Sequence, residues 1–186
     1  MNSEKVFGRS VMEVTPADDE YPTLLKQIKD MPHKIYYTGN IYILNETCVA
    51  VVGSRHATDY GKWAAFALGK RLAECGITVV SGMAAGIDAY AHKGALAVGG
   101  KTVAVLGCGL DICFPSSNKV LMREIAEKGL LLSEYPVGMQ PARYTFPQRN
   151  RIISGVSVAT VVVEAGLGSG SLITAERAME QGRDVY

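Results

Sequence analysis

The chain alternates between short, nearly continuous apolar runs and longer amphipathic segments. Runs that are apolar throughout, rather than at every second position, are typical of strands buried on both faces of a sheet. These runs are rich in Val, Ile and Leu and begin at intervals of about 25 to 30 residues. They are CVAVVG at 48–53, ITVVSG at 77–82, KTVAVLG at 101–107, LLLSEY at 130–135 and VATVVVEAG at 158–166.

Helical patterns fill most of the intervals between the apolar runs. The first, DYGKWAAFALGKRLAECG, carries Ala64, Leu68, Leu72 and Cys75 on one stripe and stops at Gly76. Two of the others also end in glycine, as the C-termini of helices commonly do. The predicted helices lie within 59–76, 86–100, 117–129 and 171–183.

Strand–helix alternation at this spacing indicates βαβ units. The sequence therefore predicts a doubly wound α/β fold, with a mostly parallel, Rossmann-like sheet and helices on both faces. Residues 1–20 are polar and weakly patterned, and we expect them to form a poorly ordered leader before a domain at 21–186. DVY at 184–186 resembles the start of another strand, so the domain is expected to be truncated at this end.

Composition and charge limit the functional classes. Hydrophobic residues make up 48% of the 186 residues, enough for one packed core. The formal net charge is only +1, so basic groups that bind a polyanion must be gathered locally. The N-terminal MNSEKVFGRS lacks the apolar core of a signal peptide, and no apolar run approaches the length of a membrane span. These features predict a cytoplasmic protein.

The cysteines give no sign of a disulfide framework. Cys48, Cys75, Cys108 and Cys113 form no CxxC pair and lie in or beside apolar runs, so we expect buried thiols in a reducing compartment. The spacing of Cys108 and Cys113 with His92 fits no standard metal site. We expect neither a metal nor a cofactor.

A loop rich in small residues follows each predicted strand. Bare backbone amides at the start of a helix suit phosphate, and the carboxyl ends of parallel strands meet at one sheet edge, so an anion site is predicted there. None of the loops contains the complete G-x-G-x-x-G fingerprint or the P-loop motif. The loops are GSRHATDYG at 53–61, SGMAAGID at 81–88, GCGLDICFPSSN at 107–118, SEYPVG at 133–138 and EAGLGSGS at 164–171.

A basic and aromatic stretch, RYTFPQRNRIISG, lies between the fourth and fifth predicted strands. Its arginines, Arg143, Arg149 and Arg151, outnumber the nearby acidic residues, and Phe146 lies among them. Guanidinium groups beside an aromatic ring suit single-stranded nucleic acid, whose phosphates they neutralise and whose bases stack on the ring. The alternative is a polar loop in which Phe146 is a buried anchor and Asn150 caps a helix.

Two further positions allow two interpretations each. Arg55 follows the first strand, where it either pairs with Glu134 or Glu164 or binds an anion. Asp88 and His92 are one helical turn apart and could form an acid–base pair. A structural hydrogen bond that holds the SGMAAG loop is the favoured interpretation of that pair.

Taken in order, six segments resemble the Rossmann-like domain of the DNA-processing protein A (DprA/Smf) family over residues 21–186. They are VVGSR, VSGMAAGIDAYAH, GCGLDICFPSSN, SEYP, FPQRNRIISG and VVEAGLGSGSLITA. The resemblance implies a protein without catalytic activity that binds single-stranded DNA and protects incoming DNA during natural transformation. It also implies help in loading the RecA recombinase, and a homodimer.

The resemblance implies a set of DNA contacts, in which Arg143 meets a phosphate and Phe146 a base. One of Arg149 and Arg151 is expected to pair inward with Glu134 or Glu164 and to shape the groove. Candidate rim contacts are Lys93 and Lys119, for which a solvated surface lysine is the ordinary alternative. The remaining implied positions are Gly53, Ser54, Arg55, Ser81, Gly82, Gly86, Asn150, Gly168, Ser169, Gly170 and Ser171.

Two other functions remain open. A nucleotide-hydrolysing Rossmann-like protein would use Arg55, Glu164 and Glu176 beside a PGGxGT loop, which EAGLGSGS does not match. A small-ligand sensor would use the same phosphate cradle without turnover. The family also often carries a helical module before this domain and a winged-helix module after it, and neither is expected in these 186 residues.

Overall fold

The computed structural model describes residues 4–186, which form ten strands and five α-helices. The strands are β1 (Lys5–Val6), β2 (Arg9–Ser10), β3 (Met12–Val14), β4 (Ile35–Gly39), β5 (Cys48–Gly53), β6 (Thr78–Ser81), β7 (Thr102–Leu106), β8 (Leu130–Ser133), β9 (Ala159–Glu164) and β10 (Asp184–Val185). The helices are α1 (Asp59–Glu74), α2 (Ile87–Ala97), α3 (Lys119–Lys128), α4 (Thr145–Gly155) and α5 (Gly170–Glu180).

Eight of these strands form one sheet in the order β10-β9-β5-β6-β7-β8-β4-β3. The six strands from β10 to β8 are parallel to one another, and β4 and β3 add an antiparallel edge. The chain first runs outward from β5 through β6 and β7 to β8, and then returns to the other side of β5 at β9. The predicted doubly wound, mostly parallel Rossmann-like sheet is confirmed.

Helices cover both faces of the sheet because its central strands are apolar on both sides. Val49 and Val51 of β5 pack with α1 and α2, whereas Cys48, Ala50 and Val52 of the same strand belong to the opposite core. That second core contains apolar side chains of α4 and of the short 3-10 turns at 25–27 and 41–45. Strand side chains that alternate between two hydrophobic layers explain the continuous apolar runs.

The segment expected to be a poorly ordered leader takes part in the fold, apart from residues 1–3, which lie outside the described residues. Met12–Val14 pairs antiparallel with β4, with Val14 opposite Ile35. Val6 and Val14 are both buried. The apolar contacts that order this segment come from isolated valines, and strands of two or three residues are too short to give a periodic pattern.

Helix α1 buries the predicted stripe only in part: Leu68 and Leu72 are half-buried and pack against the core, but the most buried residues of the helix are others. Gly61, Ala65 and Gly69 are its buried residues, and Cys75 at its C-terminus is exposed. The small residues are required because α2 lies very close: a Cβ atom on Gly69 would collide with the backbone of Ala91. Because the two helices pack so closely, α1 carries glycine where a core helix would usually carry a larger apolar residue.

The expectation of four buried thiols is only partly correct. Cys48 and Cys108 are buried, Cys113 is half-buried, and Cys75 is exposed. Among residues 4–186, no three His, Cys, Asp or Glu side chains lie together in a way that could hold a metal ion. No helix in the same range combines the length and apolarity needed to cross a membrane.

We predict that Gly94→Ala destabilises the protein. The added Cβ would collide with the backbone of α1, 2.8 Å from the Lys70 nitrogen, and neither helix can yield without losing packing. Overpacking of this kind costs about 1 to 3 kcal/mol, more than the ~1 kcal/mol that alanine gains in helix propensity. Chemical denaturation measures the difference. Gly166→Ala is the matched control, because a Cβ there meets nothing within 4 Å, and a change of less than about 1 kcal/mol is expected.

Candidate functional site

A cavity opens where the strand order reverses, between the loops that follow β5 and β9. Ligands of open α/β sheets bind at this position because the two loops diverge there and leave a crevice. The cavity has a volume of about 660 Å³. Its walls come from the β5–α1 loop, the N-terminal half of α4 and the loop before α5.

Most of the residues singled out in the sequence meet at this cavity. The aromatic ring of Phe146 comes from α4, whereas the guanidinium groups of Arg55 and Arg143 come from the loops before α1 and α4. The predicted residues that line the cavity are Gly53, Ser54, Arg55, Arg143, Phe146, Arg149, Asn150, Gly168, Ser169, Gly170 and Ser171. Gly82 lines a smaller adjoining cavity of about 200 Å³.

The remaining predicted positions do not line either cavity. Ser81 is buried and donates a hydrogen bond to the Val51 carbonyl at 2.7 Å. Gly86 has a φ of +75° and lets the backbone of Ser54 and Arg55 pass closely over it. The exposed candidates at the rim, Lys93 on α2 and Lys119 on α3, also lie outside both linings.

Glu164 organises the turn that carries Arg55. Its carboxylate accepts hydrogen bonds from the Thr58 amide at 3.1 Å and the Thr58 hydroxyl at 2.6 Å, and its carbonyl accepts one from the Ser54 amide at 2.7 Å. Thr58 in turn caps α1 by accepting from the Gly61 amide. Within residues 4–186, Arg55 forms no ion pair with Glu164 or any other carboxylate, and its side chain is exposed.

Arg149 points into the protein rather than toward solvent. Its side chain is 4% exposed and donates to the carbonyls of Gly82, at 2.7 Å, and Val105. Burial lowers the pKa of Arg149 to about 10, although the field of nearby Asp88 opposes this shift. A guanidinium group with this little exposure acts as a brace between α4, β7 and the β6–α2 loop.

Asn150 extends this hydrogen-bond network to the loop before α5. Its side-chain oxygen accepts a hydrogen bond from Arg149 Nε at 3.3 Å, and its amide nitrogen donates to the Gly170 carbonyl at 3.0 Å. The glycine-rich loop before α5 is thus tied to α4. Ser169 caps α5 by accepting from the Ser171 amide.

Arg151 lies on the other side of α4, away from the main cavity. Its guanidinium group forms a two-pronged ion pair with Glu134, at 2.7 and 2.9 Å, and also contacts Asp30. The side chain is largely buried in this arrangement. Of the two arginines, it is Arg151 that pairs with Glu134, and it does not line the main cavity.

An aromatic pair forms one wall of the cavity. The ring centroids of Phe114 and Phe146 lie 5.3 Å apart, and the Arg55 guanidinium lies 5.4 Å from the centre of the Phe146 ring. Phe114 is 47% exposed and, like His56, was not singled out from the sequence. A lone aromatic residue in a glycine-rich loop carries no periodic signal that separates a ligand contact from a core anchor.

The cavity is electrically positive. Arg55 and Arg143 are exposed in its lining, and Arg149 lies beneath them. Asp88 is the acidic residue in the lining and is buried. The N-terminus of α5 adds a partial positive charge at the same place. The geometry suits a chain of phosphates beside unsaturated rings.

Asp88 and His92 serve structural roles rather than forming an acid–base pair. Asp88 accepts from the amides of Gly82 at 3.1 Å and Ala84 at 3.4 Å, which holds the SGMAAG loop. Burial raises the pKa of Asp88, while Arg149 opposes the shift. His92 Nδ1 lies 2.7 Å from the Thr102 hydroxyl.

Comparison with known proteins places these features in one family. A family model described as DNA recombination-mediator protein A matches residues 13–186. Protein Smf of Synechocystis is 48% identical over 93% of the chain, and the match covers 44% of that relative. The chain therefore spans about half the length of this relative.

Solved structures show the same likeness. DNA processing protein A (DprA) of Streptococcus pneumoniae superposes with a TM-score of 0.90 at 47% identity, over 94% of this chain and 61% of that one. DNA processing protein A of Helicobacter pylori, whose structure concerns a single-stranded DNA binding mode, gives a TM-score of 0.87 at 31% identity. That match covers 97% of this chain and 81% of the other.

We predict that His92 makes the protein less stable in mild acid. Burial, with Arg149 nearby, lowers the pKa of His92 to about 3, whereas an unfolded histidine titrates near 6.5. The unfolded state therefore binds the extra proton between these values, and stability falls as the pH falls from about 6.5 toward 3. At pH 4.5 the loss relative to neutral pH amounts to roughly 2 to 3 kcal/mol.

Urea unfolding of wild type and His92→Gln at pH 7 and 4.5 measures this effect. The expected result is a smaller pH-dependent loss in the variant, whatever its absolute stability, because other titrating groups contribute equally to both proteins. Equal losses in the two proteins would contradict the assignment.

Proposed function

Because the chain belongs to the DNA recombination-mediator protein A family, we propose that it binds single-stranded DNA in the cavity between β5 and β9. The observation that carries this proposal is one pair of contacts. Arg55 is exposed at the cavity and rests against the ring of Phe146, which itself packs against Phe114. A phosphate site and a base-stacking site therefore lie side by side.

The exposed arginines suit phosphate. Arg55 and Arg143 make no ion pair among residues 4–186, so each guanidinium group is available for an anion. A guanidinium group can donate two parallel hydrogen bonds to phosphate oxygens. The N-terminus of α5, at Gly170, adds a partial positive charge within the same lining.

The aromatic pair favours a single strand over a duplex. A base inside a duplex has both faces covered by its neighbours, whereas an unpaired base can place one face against a side-chain ring. Stacking on aromatic residues tolerates any base sequence, because every base has a π face. We therefore propose a contact with little sequence preference, in which Phe146 and Phe114 hold bases and Arg55 and Arg143 hold phosphates.

Family membership and the structural likeness to a protein with a described single-stranded DNA binding mode support DNA processing in recombination and transformation. Protection of incoming DNA, loading of the RecA recombinase and the homodimer follow from the resemblance alone and stay predictions. The cytoplasmic location, which rests on the absence of a signal-peptide core and of a membrane-length apolar run in the sequence, also stays a prediction. The non-catalytic role is likewise part of the proposal.

The nucleotide-hydrolysing alternative finds little support in the positions of its residues. Glu164 is engaged by Thr58, and Glu176 is exposed on α5 outside both cavity linings. Incubation with AMP or CMP and chromatography for released base tests it directly. Calorimetry that compares free nucleotides with oligonucleotides tests the sensor alternative, for which a mononucleotide should bind as tightly as a strand.

We predict that Arg55→Ala and Arg143→Ala weaken binding of an oligothymidylate and reduce its salt dependence. Each neutralised phosphate contributes about 0.7 to the slope of log affinity against log salt on single strands, so each variant should lower the slope by about that amount. Fluorescence anisotropy over a salt series measures both quantities. Arg71→Ala is the matched control, because Arg71 is an exposed arginine on α1 outside the cavity linings. Wild-type slopes in both cavity variants would contradict the site.

Loss of either ring should weaken binding without this change in slope. Phe146→Ala and Phe114→Ala remove a stacking platform, which is worth about 1 to 3 kcal/mol per base. The same anisotropy series should show an affinity reduced roughly 5- to 150-fold at every salt concentration. Phe114→Tyr, which keeps a ring, serves as the control. If a variant binds with wild-type affinity, the ring that it lacks takes no part in the proposed contact.

A further inference from the structure

Two large aromatic side chains stand exposed on the outer face of α1. Tyr60 is 75% exposed and Trp63 is 63% exposed, and their ring centroids lie 5.7 Å apart. The two rings are three residues apart and so lie on the same face of the helix. They form a preassembled aromatic surface that nothing within residues 4–186 covers.

The packing of α1 against the rest of the protein does not require these two aromatic side chains. The helix is held to the sheet and to α2 through Gly61, Ala65 and Gly69, on its other faces. Large exposed aromatic groups on a folded domain commonly mark a binding surface. The chemistry around them then indicates the class of ligand.

Two lysines lie on α1 and on the neighbouring helix α2. Lys93 of α2 lies 4.8 Å from the centre of the Tyr90 ring and pairs with no carboxylate among residues 4–186. Lys62 of α1 is paired with Asp59 at 3.0 Å, which leaves Lys93 as the cation without an acidic partner. We call Tyr60, Lys62, Trp63, Tyr90 and Lys93 the aromatic–basic surface.

The aromatic–basic surface follows closely along the chain from residues that line the cavity. Arg55 and His56 line the cavity, and α1 starts three residues later at Asp59. At a rise of 1.5 Å per residue, Trp63 lies only about 6 Å further along the helix axis than Asp59. The Asp59 hydrogen bond raises the pKa of Lys62, with Tyr90 and Glu164 contributing.

We propose that the aromatic–basic surface is a second contact region for the same single strand of DNA, where bases stack on Tyr60 and Trp63 as the strand leaves the cavity. The proposal rests on the proposed function of the cavity. Aromatic rings interspersed with lysines suit a strand with phosphates and unpaired bases. The surface lacks the aliphatic groups expected of an apolar peptide site.

The single tryptophan of the chain makes this proposal directly observable. Intrinsic fluorescence of Trp63 is recorded while oligothymidylates of about 4 and about 16 nucleotides are added, lengths that bracket common single-strand site sizes. The longer strand is expected to quench the emission, and the shorter strand, held in the cavity, to leave it unchanged. Quenching by neither oligothymidylate, or equally by both, would overturn the extension.

Variants add a second measurement with labelled strands. Trp63→Ala should weaken binding of the longer strand about tenfold and leave the shorter strand unaffected. Lys93→Ala should lower the salt slope of the longer strand alone, by about 0.7. Tyr42→Ala, which removes an exposed tyrosine remote in sequence from α1 and α2, is the matched control and should match wild type.

The outcomes separate the two proposals. If Arg55→Ala weakens both strands but Trp63→Ala weakens neither, the cavity binds DNA and the aromatic–basic surface belongs to another partner. If wild type binds neither strand, the proposed function fails and the extension fails with it. Full wild-type affinity of Trp63→Ala for the longer strand therefore overturns the extension without affecting the cavity.

Discussion

The buried guanidinium group of Arg149 is the constraint on which the site depends. A charge removed from water must be surrounded by hydrogen-bond partners, and here the carbonyls of Gly82 and Val105 supply them. A Cβ atom on Gly82 would lie 2.7 Å from this guanidinium group, so any larger residue there would force the guanidinium group to shift. Asn150, next to Arg149 on α4, donates a hydrogen bond to the Gly170 carbonyl and so ties the start of α5 to the same helix. The β6–α2 loop, strand β7 and the start of α5, which come from distant parts of the sequence, are thereby held to α4 beside one cavity.

Helical geometry explains the different roles of the clustered arginines. Arg149 and Arg151 are two residues apart on α4, which places them about 200° apart around the helix axis. One can therefore face the core while the other faces Glu134, but they cannot both face the cavity. Arg143 precedes the helix and is free of this restriction. The main cavity thus takes its exposed arginines from loops and its rigidity from a helix.

The sequence predicts the sheet well because apolar runs buried on both faces are long and distinctive. It predicts less where a single contact decides the structure. Met12–Val14 joins the sheet through too few residues to show a pattern, and α4 extends across what looked like a basic loop. Pro147 is tolerated there because it lies in the first turn of the helix, where its missing N–H has no partner to lose. The direction of each arginine, and the place of Phe114 beside Phe146, depend on tertiary contacts that no local pattern encodes.

The eight-stranded sheet also fixes how far each of its two edges lies from the cavity. Strands β3 and β10 occupy its opposite edges, so seven interstrand spacings separate them, a width of about 34 Å at 4.8 Å each. The cavity between β5 and β9 lies one strand in from the β10 edge. A group attached beside β10 is therefore held close to any ligand in the cavity, whereas a group attached beside β3 is kept far from it. Two spectroscopic labels attached at these edges would therefore lie at very different distances from the same ligand.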